Sequence, residues 1–215
     1  MAQAPLAILG GTFNPPHVGH LHMAEAALGW GAIEQVIWVP NDVPPHRRGE
    51  VVLPFHHRYA MVERAIAPYP QFTVSRVDGD RAGPSYASDT LAALQQQYPQ
   101  RQWAWIIGLD AFQSLVRWHD RQWLIPQCIW LVVPRRQRQT AAAGVAAIAC
   151  TVAQQLQQEG IALRWQRLEM PQVEVSSSQI RQLCRDRQSI RGLVPDAVVQ
   201  YIADHALYAA AQPQC

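Results

Sequence analysis

Two histidines, His17 and His20, follow a pair of glycines in the stretch Gly10-Gly11-Thr12-Phe13-Asn14-Pro15-Pro16-His17-Val18-Gly19-His20. Paired glycines let a backbone turn sharply and bring its N–H groups close to an anion. From Gly19 onward the apolar residues Leu21, Ala24 and Leu28 recur at helical spacing, so both imidazoles fall at or beside a helix N-terminus, the end that attracts phosphate. A second group lies far along the chain, where Ser176, Ser177 and Ser178 open a helix and Arg181 follows one turn later. Serines there cap the helix; with exposed N–H groups and a planar cation they also suit a triphosphate tail. The chemistry indicated is the binding and transfer of phosphate groups.

The elements that must position these groups alternate between strand and helix. Leu6 to Leu9 is a short apolar run ending in glycine, the pattern of a parallel strand buried on both faces. A helix from about Gly19 to Trp30 and a strand over Gln35 to Val39 complete a βαβ unit. Next comes the stiff loop Asn41-Asp42-Val43-Pro44-Pro45-His46-Arg47-Arg48, then a helix over Phe55 to Ala67 and a strand over Phe72 to Val77. The adjacent His56 and His57 lack ligand spacing and read as surface or packing residues. Ser85, Ser88, Asp89 and Thr90 supply caps for a helix ending near Tyr98.

Trp103 to Ile107 reads as a strand closed by Gly108, with Asp110 two residues on. Ligands bind outside that edge of an open parallel sheet, where a glycine admits a flat group and a carboxylate accepts ribose hydroxyls. Trp103 and Trp105 share one face and read as core. Trp118 sits in the polar setting Arg117-Trp118-His119-Asp120, where an aromatic side chain either packs or stacks on a ligand ring. The run Ile129 to Val133 delivers Arg135 and Arg136 to the same edge, where an arginine can bind phosphate bidentately. Residues 137–160, rich in Ala and Gln, read as a peripheral helix, and Ile161 to Leu168 returns to strand-like content. Together these predict an α/β, Rossmann-like, doubly wound parallel sheet of about five to six strands, in one domain over residues 1–215 with a small helical region from about residue 175.

The segment Gly10 to His20 resembles the His-x-Gly-His signature of the nucleotidyltransferase superfamily, in the version Gly-Gly-Thr-Phe-(Asp or Asn)-Pro-x-His-x-Gly-His found in the nicotinate mononucleotide adenylyltransferases of bacterial NAD synthesis. Further matches run almost the whole chain. The resemblance implies ATP contacts from Gly10, Gly11, Thr12, Phe13, His17, His20, Gly108, Asp110, Ser176, Ser177, Ser178 and Arg181, with His17, His20 and Arg181 catalytic. It implies a nicotinate mononucleotide site from Asn41, His46, Arg47, Ser85, Tyr86, Ala87, Trp118, His119 and Arg135, with Trp118 against the pyridine ring. This chain departs from the family at Ala87, where a threonine is usual, at Val175 and Ser178, and at Arg136, where proline is usual. Asn14 stands where aspartate is common.

On that reading the attacking phosphate is already ionised near neutral pH and needs no general base, so catalysis is positioning plus electrostatics. Mg²⁺ is expected as cofactor, held mainly by ATP phosphates and water, with no protein metal site. ATP and nicotinate mononucleotide are the expected partners.

Eighteen basic and 16 acidic side chains give a net charge of +2, too little for a nucleic-acid-coating surface. No apolar run spans a bilayer, and Cys128, Cys150, Cys184 and Cys215 show no Cys-x-x-Cys spacing, which predicts reduced thiols in a cytoplasmic protein. The competing readings are another nucleotidyltransferase, acting on nicotinamide mononucleotide or phosphopantetheine, and a non-catalytic nucleotide-binding module. A class I aminoacyl-tRNA synthetase fragment lacks its Lys-Met-Ser-Lys-Ser here. Oligomeric state has no signature in the sequence.

Overall fold

The computed structural model describes residues 4–44, 52–134, 142–171 and 173–209. Six strands form one sheet: β1 (Leu6–Gly11), β2 (Gln35–Pro40), β3 (Phe72–Val74), β4 (Trp103–Gly108), β5 (Cys128–Val133) and β6 (Arg164–Arg167). Their order is β3-β2-β1-β4-β5-β6 and every pairing is parallel. The direction of winding reverses between β1 and β4, which leaves a crevice at their carboxyl ends, where ligands of such sheets bind.

The central strands are apolar on both faces because both faces are covered. In β1, Ala7 and Leu9 join one core cluster while Leu6 and Ile8 join the other; in β4, Trp103 and Trp105 fall on the second face, as their spacing predicts. The first face is covered by α1 (Val18–Gly29), α2 (Phe55–Ile66), α7 (Ser177–Arg185) and α8 (Asp196–Asp204). The second is covered by α3 (Ala87–Gln97), α4 (Leu109–Gln113), α5 (Arg121–Gln127) and α6 (Ala142–Gln158). Helix α6 shows why: Val145, Ala149, Val152 and Leu156 are buried at helical spacing, each large one contributing about 1.5–3 kcal/mol. Cys128 in β5 is buried, and its thiol is pushed up to about 12 by that burial. It is an inert core residue.

Two departures from the sequence reading have local causes. Strand β3 stops at Val74 rather than Val77 because the chain turns at Arg76, whose carbonyl accepts from Gly79 and Asp80 N–H at 2.8 and 2.9 Å. Helices α4 and α5 carry the chain from β4 to β5 and are too short, at five and seven residues, to show a helical period.

The turn after β3 is packed from above by Phe55. A Cβ on Gly79 would lie 2.3 Å from the Phe55 ring, which Tyr59 and the guanidinium groups of Arg58 and Arg76 flank. Gly79→Ala therefore displaces that ring, and urea unfolding is expected to show a loss of about 1–3 kcal/mol.

Candidate active site

A cleft of about 620 Å³ opens at the crevice between β1 and β4. Residues 10–14, His17 and His20 form one wall, Gly108 the floor beyond β4, and Ser176, Ser177 and Ser178 the rim from α7. Asn41, Ser85, Tyr86, Ala87, Trp118 and His119 line the opposite part. The structure thus gathers residues from both ends of the chain. His46, Arg47 and Arg135 lie outside the described residues. Asp110 is exposed on the first turn of α4 and, like Arg181, is not among the cleft-lining residues.

The glycine turn is built differently from the sequence expectation. Neither Gly10 nor Gly11 takes a positive φ; the left-handed residue is Phe13, at φ 48°. Its ring is buried against Trp38 and edge-on to His20, and that packing holds a conformation a bulky residue rarely adopts. The glycines matter for close approach, since a Cβ on Gly11 would press the Phe13 ring at 3.1 Å. Gly19 is needed for the same reason, its Cβ position lying 3.1 Å from the His17 imidazole and 3.2 Å from Val175.

His17 is the extended N-cap of α1, and its backbone N–H donates to His20 Nδ1 at 3.2 Å. The two rings stack with centroids 3.7 Å apart. Because His20 Nδ1 accepts a hydrogen bond, neutral His20 carries its proton on Nε2, a donor that suits an anion. The serines divide their work. Ser176 caps α7 by accepting from Gln179 N–H, Ser177 donates to the Pro15 carbonyl at 2.8 Å, and Ser178 accepts from Arg181. Arg181 also donates to the Asn14 carbonyl at 2.9 Å, so it ties α7 to the turn while its fork retains further N–H donors.

On the opposite side the side chains mostly hold the loop after β2. Ser85, 4% exposed, lines the cleft and accepts from the N–H groups of Asp42 and Val43. Asn41 Nδ2 donates to Asp78. Trp118 stands edge-on to both Trp105 and Trp130, its indole N–H donating to Ser114, so its packing is fixed while it still lines the cleft. Tyr86 and His119 stack face to face at 4.2 Å. His119 lines the cleft beside Tyr86.

Two residues that hold the cleft together carry no motif. Arg58, 1% exposed, donates to the carbonyls of Leu53, Thr12, Asn41 and Asp42 at 2.8, 2.9, 2.5 and 3.3 Å. It fastens the turn after β1 to both ends of the loop after β2. Burial lowers its pKa, with the nearby Asp42 carboxylate acting in the opposite direction. The available signal is its spacing with Met61, Val62 and Ala65, which places an arginine on the buried face of α2. Asp78 is also buried; Thr90 donates to it at 2.6 Å and Arg81 lies 3.4 Å away. Burial raises its pKa, against the hydrogen bonds from Thr90 and Asn41, the Arg81 charge and the Ser85 hydroxyl.

Set beside known proteins, residues 8–183 match the cytidylyltransferase-like family. The chain is 49% identical over 203 residues to a probable nicotinate-nucleotide adenylyltransferase of Trichormus variabilis, covering 94% of this chain and 96% of that one. A protein of the same description from Geobacter sulfurreducens is 38% identical over 212 residues, covering 94% and 97%. Among solved structures, the Plasmodium falciparum nicotinic acid mononucleotide adenylyltransferase complexed with NaAD is similar in fold at a TM-score of 0.73, with 15% identity and coverage of 96% and 98%.

Proposed function

Because the chain belongs to the cytidylyltransferase-like nucleotidyltransferases and, within them, to the nicotinate-nucleotide adenylyltransferases, we propose that it transfers the adenylyl group of ATP to nicotinate mononucleotide. The products are nicotinate adenine dinucleotide and pyrophosphate. The observation that carries the reading is the convergence, in one cleft at the switch point of the sheet, of the stacked His17–His20 pair, the serine-capped α7 and an aromatic pocket. That is a phosphate site beside a ring site.

The phosphate of the acceptor attacks the α-phosphorus of ATP in line with the departing pyrophosphate, and the nucleophile is already an anion. The chain's task is to bring the two phosphates together and to neutralise the charge that grows on the leaving group. His20 offers Nε2–H to the transferring group, with His17 stacked on it. The N-terminus of α7 and its serines face the β- and γ-phosphates, and Arg181 reaches them with its remaining donors. Mg²⁺ is part of the proposal, and ATP phosphates and water would supply its ligands. When bound, it neutralises phosphate charge.

Trp118 and the Tyr86–His119 pair form the pocket for the pyridine ring. The cytoplasmic setting is likewise proposed, supported by the free thiols of Cys128, Cys150 and Cys184. No helix among the described residues is long and apolar enough to cross a membrane.

Pyrophosphate release from ATP and Mg²⁺, with nicotinate or nicotinamide mononucleotide as acceptor, tests the reading. The acid is expected to be preferred about a hundredfold in kcat/KM, or about 2.7 kcal/mol. Equal rates would make the enzyme indifferent to the ring substituent, and release with neither would remove the assignment.

A further inference from the structure

After α8 the chain returns to the site. Leu207 N–H donates to the Ile202 carbonyl at 2.9 Å, and Tyr208, at φ 63°, places its hydroxyl 2.7 Å from Asn14 Oδ1. Asn14 is 3% exposed and follows the strained Phe13 in the turn that leads to His17. Three other side chains hold the same turn by its backbone: Arg58 at the Thr12 carbonyl, Arg181 at the Asn14 carbonyl and Ser177 at the Pro15 carbonyl. Tyr208 is the one that grips a side chain. Burial raises the phenol well above its ordinary pKa, with Arg181 and Arg58 acting in the opposite direction, so it remains a proton donor at neutral pH.

We propose that Tyr208 is a positioning residue for adenylyl transfer: its hydroxyl, by holding the Asn14 amide oxygen, sets the turn from Thr12 to His17 and with it the stacked histidine pair. The inference rests on the proposed function. It assigns Asn14 an acceptor's task in place of metal-binding charge. Asparagine and aspartate both present an oxygen to a phenol, so either residue satisfies the contact. A turn containing a left-handed phenylalanine does not keep its shape unaided, and a small displacement of aligned reacting groups lowers turnover sharply.

Tyr208→Phe removes one oxygen and keeps the ring packed, so the variant folds. In the full chain its kcat per active site, counted by titration with bound nucleotide, is expected to fall about tenfold. A merely structural hydroxyl would reduce the number of active sites and leave the rate of each unchanged, which overturns the proposal. Asn14→Ala should cost the same factor, and the double variant no more than either single one; additive losses overturn it, because the two residues would then act separately. ATP affinity in the absence of acceptor, measured by calorimetry, should weaken at least threefold in Tyr208→Phe. If the wild-type chain does not turn over nicotinate mononucleotide, the proposed function fails, and ATP affinity alone decides the role of Tyr208: weakened upholds it, unchanged overturns it.

Discussion

Alanine in place of either His17 or His20 lowers kcat for pyrophosphate release by roughly 10²–10³, the usual cost of removing a donor aimed at a developing anion. The expectation follows from how the two rings are held. Stacked at 3.7 Å, with His20 Nδ1 occupied by the His17 amide, they form one preorganised unit at the start of α1. Removing one ring releases the other from its stack, so the double variant should be little worse than the poorer single variant. The fold should survive, because the first turn of α1 is also held by backbone bonds, the His20 and Leu21 N–H groups donating to the His17 carbonyl. Steady-state kinetics with both substrates checks the assignment. If KM rises at constant kcat, the histidines only bind, and unchanged turnover in both variants removes them from the mechanism.

Arg58→Met is the second large effect, and it acts on stability. The substitution leaves the carbonyls of Leu53, Thr12, Asn41 and Asp42 without their donor in a site closed to solvent. Each unpaired buried group costs about 1–3 kcal/mol, and the water or relaxation that reaches some of them reduces the sum, so a total loss of about 3–5 kcal/mol is expected. The urea midpoint should drop accordingly with little change in slope. Arg58→Lys keeps the charge but has too short a reach for four carbonyls, and should fall between methionine and wild type. A loss under 1 kcal/mol for methionine would show that the carbonyls find other donors and that the clasp is dispensable.

Much of the scaffold was legible because its signals are local. The runs at Leu6, Gln35, Trp103 and Ile129 are apolar, short and bounded by glycine or proline, and each is a strand within a residue or two of its expected limits. The cleft walls were legible for the same reason: the glycine turn, the two histidines and the serine cap are contiguous motifs. What escaped acts across the chain on backbone atoms or single partners. Arg58 reaches Thr12 from 46 positions away and Asp78 holds Asn41 from 37. Neither leaves a pattern in its own neighbourhood, apart from the helical spacing that buries Arg58. Ser85 was visible as a polar residue near the site, but its partners, the amides of Asp42 and Val43, lie more than forty positions away and leave no local pattern. Tyr208 belongs to no motif, and its partner is 194 positions back.

That separation bears on how the protein comes into being. Residues 10–20 carry the turn and both histidines, and they emerge from the ribosome long before the hydroxyl that meets them. Strand β1 pairs with β4, nearly a hundred positions on, and the turn beyond it waits longer still, for Tyr208.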